Sequence, residues 1–140
     1  MIALTPEEWT AVRLSLLVAF TAAAASLPFG IGAAWLLARK RWPGRLVFDA
    51  LVHLPLVLPP VVTGYVLLLL FGRHGAVGNF LAETLGIVFA FRWTGAALAA
   101  GVMAFPLMVR AIRLAIESID PKLEAAAATL GASRLRIFIT

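Results

Sequence analysis

At 140 residues the chain has the length of one domain, but 62% of it is apolar and 14% charged, against about 45–50% and about 25% in ordinary soluble domains. Its mean hydropathy of +0.98 is more than a fold this small can bury, which excludes a water-soluble globular protein and a disordered chain alike. Twelve Lys and Arg against seven Asp and Glu give a net charge of +5, yet these charges sit in short clusters between long apolar runs, so the expected partner is a lipid bilayer and not nucleic acid.

Thr5-Pro6-Glu7-Glu8 reads as a helix start: a capping hydroxyl, a proline at the first turn, and acids at the positive end of the helix dipole. Leu14 to Ala38 follows, 25 residues without a formal charge. As a helix it is roughly 37 Å long, enough to cross a ~30 Å hydrocarbon core with tilt. It is too long for the core of a signal peptide, and no basic segment precedes it. Ala50 to Phe71 is a second uncharged run, of 22 residues, interrupted by Pro55, Pro59 and Pro60. Prolines remove backbone donors and bend or break helices, so a kink or interruption is expected, buried in protein or facing a wet cavity.

Between Gly72 and Arg92, the apolar residues Val77, Phe80, Leu81, Leu85 and Val88 recur at helical spacing, with Asn79 and Glu83 opposite. This pattern predicts a short helix lying in the membrane surface. Thr94 to Val109 is a third uncharged run, extended by Ala111 to Ile116, with Trp93 as an interfacial belt residue. Arg110 and Arg113 either snorkel to the headgroups or meet an anion in transit. Nine basic residues fall on one side of this arrangement (Arg39, Lys40, Arg41, Arg45, Arg110, Arg113, Lys122, Arg134, Arg136) and three on the other (Arg13, Arg73, Arg92). The excess marks the cytoplasmic side and leaves the N-terminus outside.

The C-terminal segment is expected in the cytoplasm. Asp120-Pro121 is a strong helix start, and Leu123, Ala126, Ala127 and Leu130 then form one narrow apolar stripe. Gly131 stands where a left-handed residue ends a helix, and Ser133 can cap a second helix beginning at Arg134. The fold class is therefore all-α integral membrane: a multi-span helical bundle with three transmembrane helices, an interfacial helix and a short cytoplasmic helix.

Leu123-Glu124-Ala125-Ala126-Ala127-Ala128-Thr129-Leu130-Gly131-Ala132 resembles the EAA loop of permease subunits of ATP-binding-cassette importers, which docks as a coupling helix into a cytoplasmic ATPase. Alignment on the glycine places the family's double alanine at Ala126 and Ala127. Glu124 then lies one position early, a departure from the family's pattern. The run from His53 through Pro55, Pro59, Pro60 and Thr63 to Tyr65, the run Phe105-Pro106-Leu107-Met108-Val109-Arg110, Ser26-Leu27-Pro28-Phe29-Gly30 and Phe71-Gly72-Arg73 are similar to molybdate permease subunits.

The resemblance implies a membrane-spanning permease that translocates molybdate across a prokaryotic inner membrane by alternating access. It would work with a second permease copy in a homodimer, cytoplasmic ATP-binding subunits and an extracytoplasmic oxyanion-binding protein. Tungstate or sulfate/thiosulfate is the alternative substrate, and a non-transporting membrane scaffold the alternative of a different class. Residues 1–140 read as one permease domain with spans about 14–38, 50–71 and 94–116 and a coupling loop about 120–140. Because the family continues past this loop, the chain ending at Thr140 reads as an N-terminal part of such a permease.

Several residues carry two readings. Pro55, Pro59 and Pro60 are tolerated kinks or the bent wall of a pathway, with Thr63 and Tyr65 as the nearest polar groups; Thr63 alternatively bonds its own helix carbonyl. His53 is an interfacial histidine bonded to backbone or part of a gate, and His74 lies in a solvated turn. Arg39-Lys40-Arg41 is the topology signal, and Gly30, Gly32, Gly95 and Gly101 mark close helix packing. The chain has no cysteine, which excludes disulfides, thiolate metal sites and a cysteine nucleophile. The serines lack a His–Asp partner and no phosphate-binding glycine loop occurs, so neither catalysis nor a cofactor is expected, and any ATP is hydrolysed on another chain.

Overall fold

A computed structural model describes residues 5–139; residues 1–4 and Thr140, the two ends of the expected domain, lie outside the described residues. The described residues form helices and no strand: α1 (Pro6–Arg39), α2 (Arg45–Val57), α3 (Pro60–Phe71), α4 (Ala76–Leu85), α5 (Trp93–Glu117), α6 (Pro121–Thr129) and α7 (Arg134–Ile139). The helix of the first run begins well before Leu14. Thr5 caps it, accepting from the Glu8 backbone N–H while the Glu8 carboxylate accepts from that of Thr5, a reciprocal pairing that satisfies two otherwise orphaned donors. At 34 residues the helix is about 51 Å long, more than a bilayer core requires.

Helices α1 and α5 are the two that are long and apolar enough to cross a membrane. Their contacts advance together along both chains: Ser26 lies at Gly101, Gly30 at Met108, and Arg39 at Ile116. The two helices therefore run parallel, which a bundle permits only if the chain returns between them. A Cβ on Gly30 would lie 2.9 Å from Met108 Sδ, and one on Gly101 2.9 Å from Ser26 Oγ. The missing side chains are what let the helices approach this closely. Gly32 meets nothing, and Gly95 abuts the Phe89 carbonyl of the preceding loop rather than another helix, so two of the four glycines expected at helix contacts are elsewhere.

The second run is not one helix. It is broken at Leu58-Pro59, and α2 and α3 meet at a bend of 111°. Together they count as a third crossing only if the bent pair is one broken span. The tandem prolines explain the place. A residue preceding proline is pushed out of the α region, and here Leu58 (ψ 141°) and Pro59 (ψ 140°) each precede one and are both extended. The single prolines Pro28, Pro55 and Pro106 each lie inside a continuous helix. The surface helix also ends earlier than its pattern: Gly86 at φ 67° terminates α4 after Leu85, so Val88 lies in the loop that follows.

The core sits toward the basic end of the helices. Ala33, Ala34 and Leu37 of α1, Val52 of α2 and Val109 of α5 are buried together, with Phe48, Phe105, Ile112 and Ile116 against them. Outside this small core, large apolar side chains face outward, among them Phe20 at 76% and Val61 at 83% exposure. Apolar surface on that scale needs lipid or protein, not water, as its neighbour.

Candidate functional site

The segment after α5 is built almost entirely from local signals. Asp120 caps α6, its carboxylate accepting from the Lys122 N–H at 2.9 Å, and Pro121 occupies the first turn. At the other end the Ala132 N–H donates to the Ala127 carbonyl and the Gly131 N–H to that of Ala128, each at 3.1 Å. These are the six-to-one and five-to-two bonds of a Schellman turn, which requires a left-handed residue. Gly131 supplies it at φ +84°. The Ser133 hydroxyl then accepts from the Arg136 N–H at 3.3 Å and starts α7.

The stripe faces outward. Leu123 is 67% and Leu130 89% exposed, Ala126 is exposed and Ala127 half-buried, and α6 has no buried residue. A helix with an uncovered apolar stripe of small and branched side chains is suited to seat against another surface. Glu124 is on a different face: its carboxylate pairs with Arg39 at the end of α1. Sequence reasoning treated Arg39 as a topology signal and did not find this partner, because the residues are 85 positions apart.

A second polar group joins α2 and α5. Asp49 contacts Arg113 at 3.6 Å and His53 Nδ1 at 3.2 Å, and Arg113 Nε donates to Glu117 at 2.8 Å. His53 Nδ1 also lies 2.9 Å from the Asp49 carbonyl, as the backbone-bonded reading of that histidine expects. Asp49 was not singled out from the sequence; its i,i+4 spacing to His53 was the available signal. Arg113 is already held by two carboxylates, which favours anchoring over capture of an anion.

The five residues expected along a pathway do not line one cavity. Pro55 lines an apolar cavity of about 740 Å³ between α1, α2 and α5, with Ala25, Phe29, Phe48, Val52 and Phe105 among its other walls. Pro59, Pro60, Thr63 and Tyr65 do not line it. Its described lining has no charged side chain, and Thr21, Ser26, Trp93 and Thr94 are its polar members. Thr63 is buried, with Oγ1 3.5 Å from the Pro59 carbonyl, the local bond of its alternative reading, while Tyr65 is 62% exposed. Among the described residues no group of three His, Asp or Glu is placed to bind a metal ion.

Comparison with known proteins fits this architecture. The family described as "Binding-protein-dependent transport system inner membrane component" matches residues 11–140. The "Molybdenum transport system permease protein ModB" of Escherichia coli (strain K12) is 61% identical over 137 residues, covering 98% of this chain and 60% of that protein. The protein of the same name from Haemophilus influenzae is 54% identical over 133 residues, covering 95% of this chain and 58% of it. The "Sulfate transport system permease protein CysT" of Salmonella typhimurium is 41% identical over 133 residues, covering 95% and 48%. The chain thus spans about 60% or less of the length of these relatives.

Proposed function

We propose, for a chain that belongs to the family of binding-protein-dependent transport system inner membrane components, that it belongs to the membrane permease of an ATP-driven molybdate importer. The observation that carries the substrate is the 61% identity to a molybdenum permease along 98% of the chain, against 41% to a sulfate permease. The permease has no chemistry of its own. ATP is hydrolysed on separate cytoplasmic subunits, an extracytoplasmic protein delivers the oxyanion, and a second permease copy completes the pathway.

In this reading α6 is the coupling helix. Its exposed stripe of Leu123, Ala126, Ala127 and Leu130 seats in the ATPase, and Gly131 turns the chain back toward the membrane. Closure of the ATPase subunits moves the α6 helices of the two copies, and the spans rock around a pathway between the permeases. The prolines of α2 and α3, with Thr63 and Tyr65, belong to the segment that bends in that motion. The N-terminus lies outside and α6 in the cytoplasm, in keeping with the nine-to-three distribution of basic residues.

The test is uptake of labelled molybdate into vesicles carrying the assembled transporter. ATP-dependent accumulation, competed more strongly by tungstate than by sulfate, is expected. Accumulation of sulfate without molybdate would replace the substrate with the one in the name of the 41% identical relative. Failure to accumulate any oxyanion in an assembly that hydrolyses ATP would leave the scaffold reading.

A further inference from the structure

Helix α6 hangs from α5 on three residues, Ser118, Ile119 and Asp120, and buries none of its own side chains. A helix so attached swings on its linker unless something outside the linker fixes it. If α6 transmits force to the spans, as proposed above, its orientation has to be set by contact with the helices it moves.

One guanidinium supplies that contact. Arg39 is the last residue of α1. Its Nη2 donates to the Ile116 carbonyl, 3.4 Å away in the last turn of α5, and pairs with the Glu124 carboxylate in the first turn of α6. Three helices thus meet on one nitrogen. The Ile116 carbonyl also accepts from the Ile119 N–H at 3.3 Å, and the last turn of a helix is the negative pole of its dipole, so a cation is favoured there. A carboxylate in the first turn of α6 is favoured by the opposite pole. The side chains of Arg39 and Glu124 are 22% and 37% exposed, so water screens the pair less than it screens a fully exposed one.

The position of Glu124 also acquires a reason. Successive helical residues are about 100° apart. Next to Leu123, Glu124 faces the bundle while Leu123 and Leu130 point away. A carboxylate at Ala125 would sit a further 100° around and leave Arg39.

We propose that Arg39 and Glu124 are positioning residues that lock α6 to the ends of α1 and α5, so that displacement of the coupling helix is passed to both transmembrane helices at once. This rests on the assignment of α6 as the coupling helix; the tether itself does not depend on the substrate.

The experiment uses the assembled transporter in vesicles, with spin labels on Lys40→Cys and Ala125→Cys in this otherwise cysteine-free chain, in four backgrounds: parent, Arg39→Glu, Glu124→Arg and the double exchange. The parent should give one narrow distance distribution. Each single reversal should broaden it, and the double exchange, which restores an opposite-charge pair, should narrow it again. In the same vesicles each single reversal should lower substrate moved per ATP hydrolysed about fivefold, with recovery in the double exchange.

A distribution unchanged by either reversal overturns the proposal. So does a double exchange that remains as broad as the singles, because loss of packing and not of the pair would then be the cause. The remaining basic residues Arg41 and Arg45, with Arg110 and Arg113 on the same side, preserve the topology signal in every background. Distances that respond as expected in a parent transporter that moves no molybdate would support the tether and overturn the substrate assignment.

Discussion

Gly131 is the residue at which sequence and structure agree most closely, and the reason is physical. A helix that must stop and turn leaves several unpaired carbonyls, and a left-handed residue offers the neighbouring N–H groups to two of them. Only glycine takes that conformation without penalty. At Gly131 a Cβ would meet nothing within 4 Å, although φ is +84°. The cost of substitution is therefore in the backbone alone. Gly131→Val should destabilise the turn by roughly 1 kcal/mol or more, and Gly131→Asn by clearly less, since asparagine is the usual substitute at such turns. Ala127→Trp acts differently, through overlap with whatever covers the stripe, where overpacking typically costs ~1–3 kcal/mol. In the assembled transporter Gly131→Val and Ala127→Trp should both lose uptake and recover less ATPase, with normal amounts of permease in the membrane, while Gly131→Asn keeps both. Equal uptake in all three would remove α6 from the coupling role. Glu124 is the contrasting residue. Its presence in the loop was legible, but its partner was not, because no local pattern links it to a residue 85 positions away.

The chain's secondary elements were legible wherever one signal acted alone. Capping residues marked the starts of α1 and α6, and uncharged runs marked α1 and α5. The second run carried two signals, hydrophobic length and tandem proline: the prolines announced the break, and the length fits a crossing if the bent pair is one broken span. Three prolines announced a kink or interruption; that it is a break with a turn of 111° depended on Leu58 and Pro59 both being made extended. Removing that constraint should straighten the pair. In Pro59→Ala with Pro60→Ala, residues 45–71 can form one helix, and labels at Val47 and Leu69 should move from roughly 19 Å apart, across two bent arms, to about 33 Å along one axis. Pulsed dipolar spectroscopy reads this difference directly. A separation that stays short would mean that packing of α3 on α4 and α5 holds the bend, with the prolines only tolerating it. Pro55 serves as the internal control: it lies within α2, so Pro55→Ala should leave the separation unchanged.

Across the whole molecule, the parallel course of α1 and α5 and the placement of charge constrain each other. Arg39, Arg113 and Glu124 are gathered at one end of the bundle by direct contacts, and Lys40, Arg41, Arg45 and Arg110 are their neighbours in sequence. A charged side chain costs several kcal/mol at the bilayer centre, so this end must lie in water or headgroups. The side on which basic residues are in excess is ordinarily the cytoplasm. The direction of crossing is an expectation the sequence alone can offer, because it depends only on counts near the run ends. The packing that gathers those charges was not legible there, since it depends on close approach at Gly30 and Gly101 and on the return through α2. Pro43, in the turn between α1 and α2, tests the orientation with no native cysteine among these 140 residues to interfere. Pro43→Cys should resist an impermeant thiol reagent added outside intact cells and react once the membrane is opened. His74→Cys, in the turn between α3 and α4, should react from outside without permeabilisation if α2 and α3 together make one broken crossing. Reaction at Pro43→Cys in intact cells would invert the molecule and place α6 where no ATPase could reach it. Protection of both positions until the membrane is opened would show instead that α2 and α3 enter and leave on the cytoplasmic side, so that the parallel course of α1 and α5 could not be two crossings in the same direction.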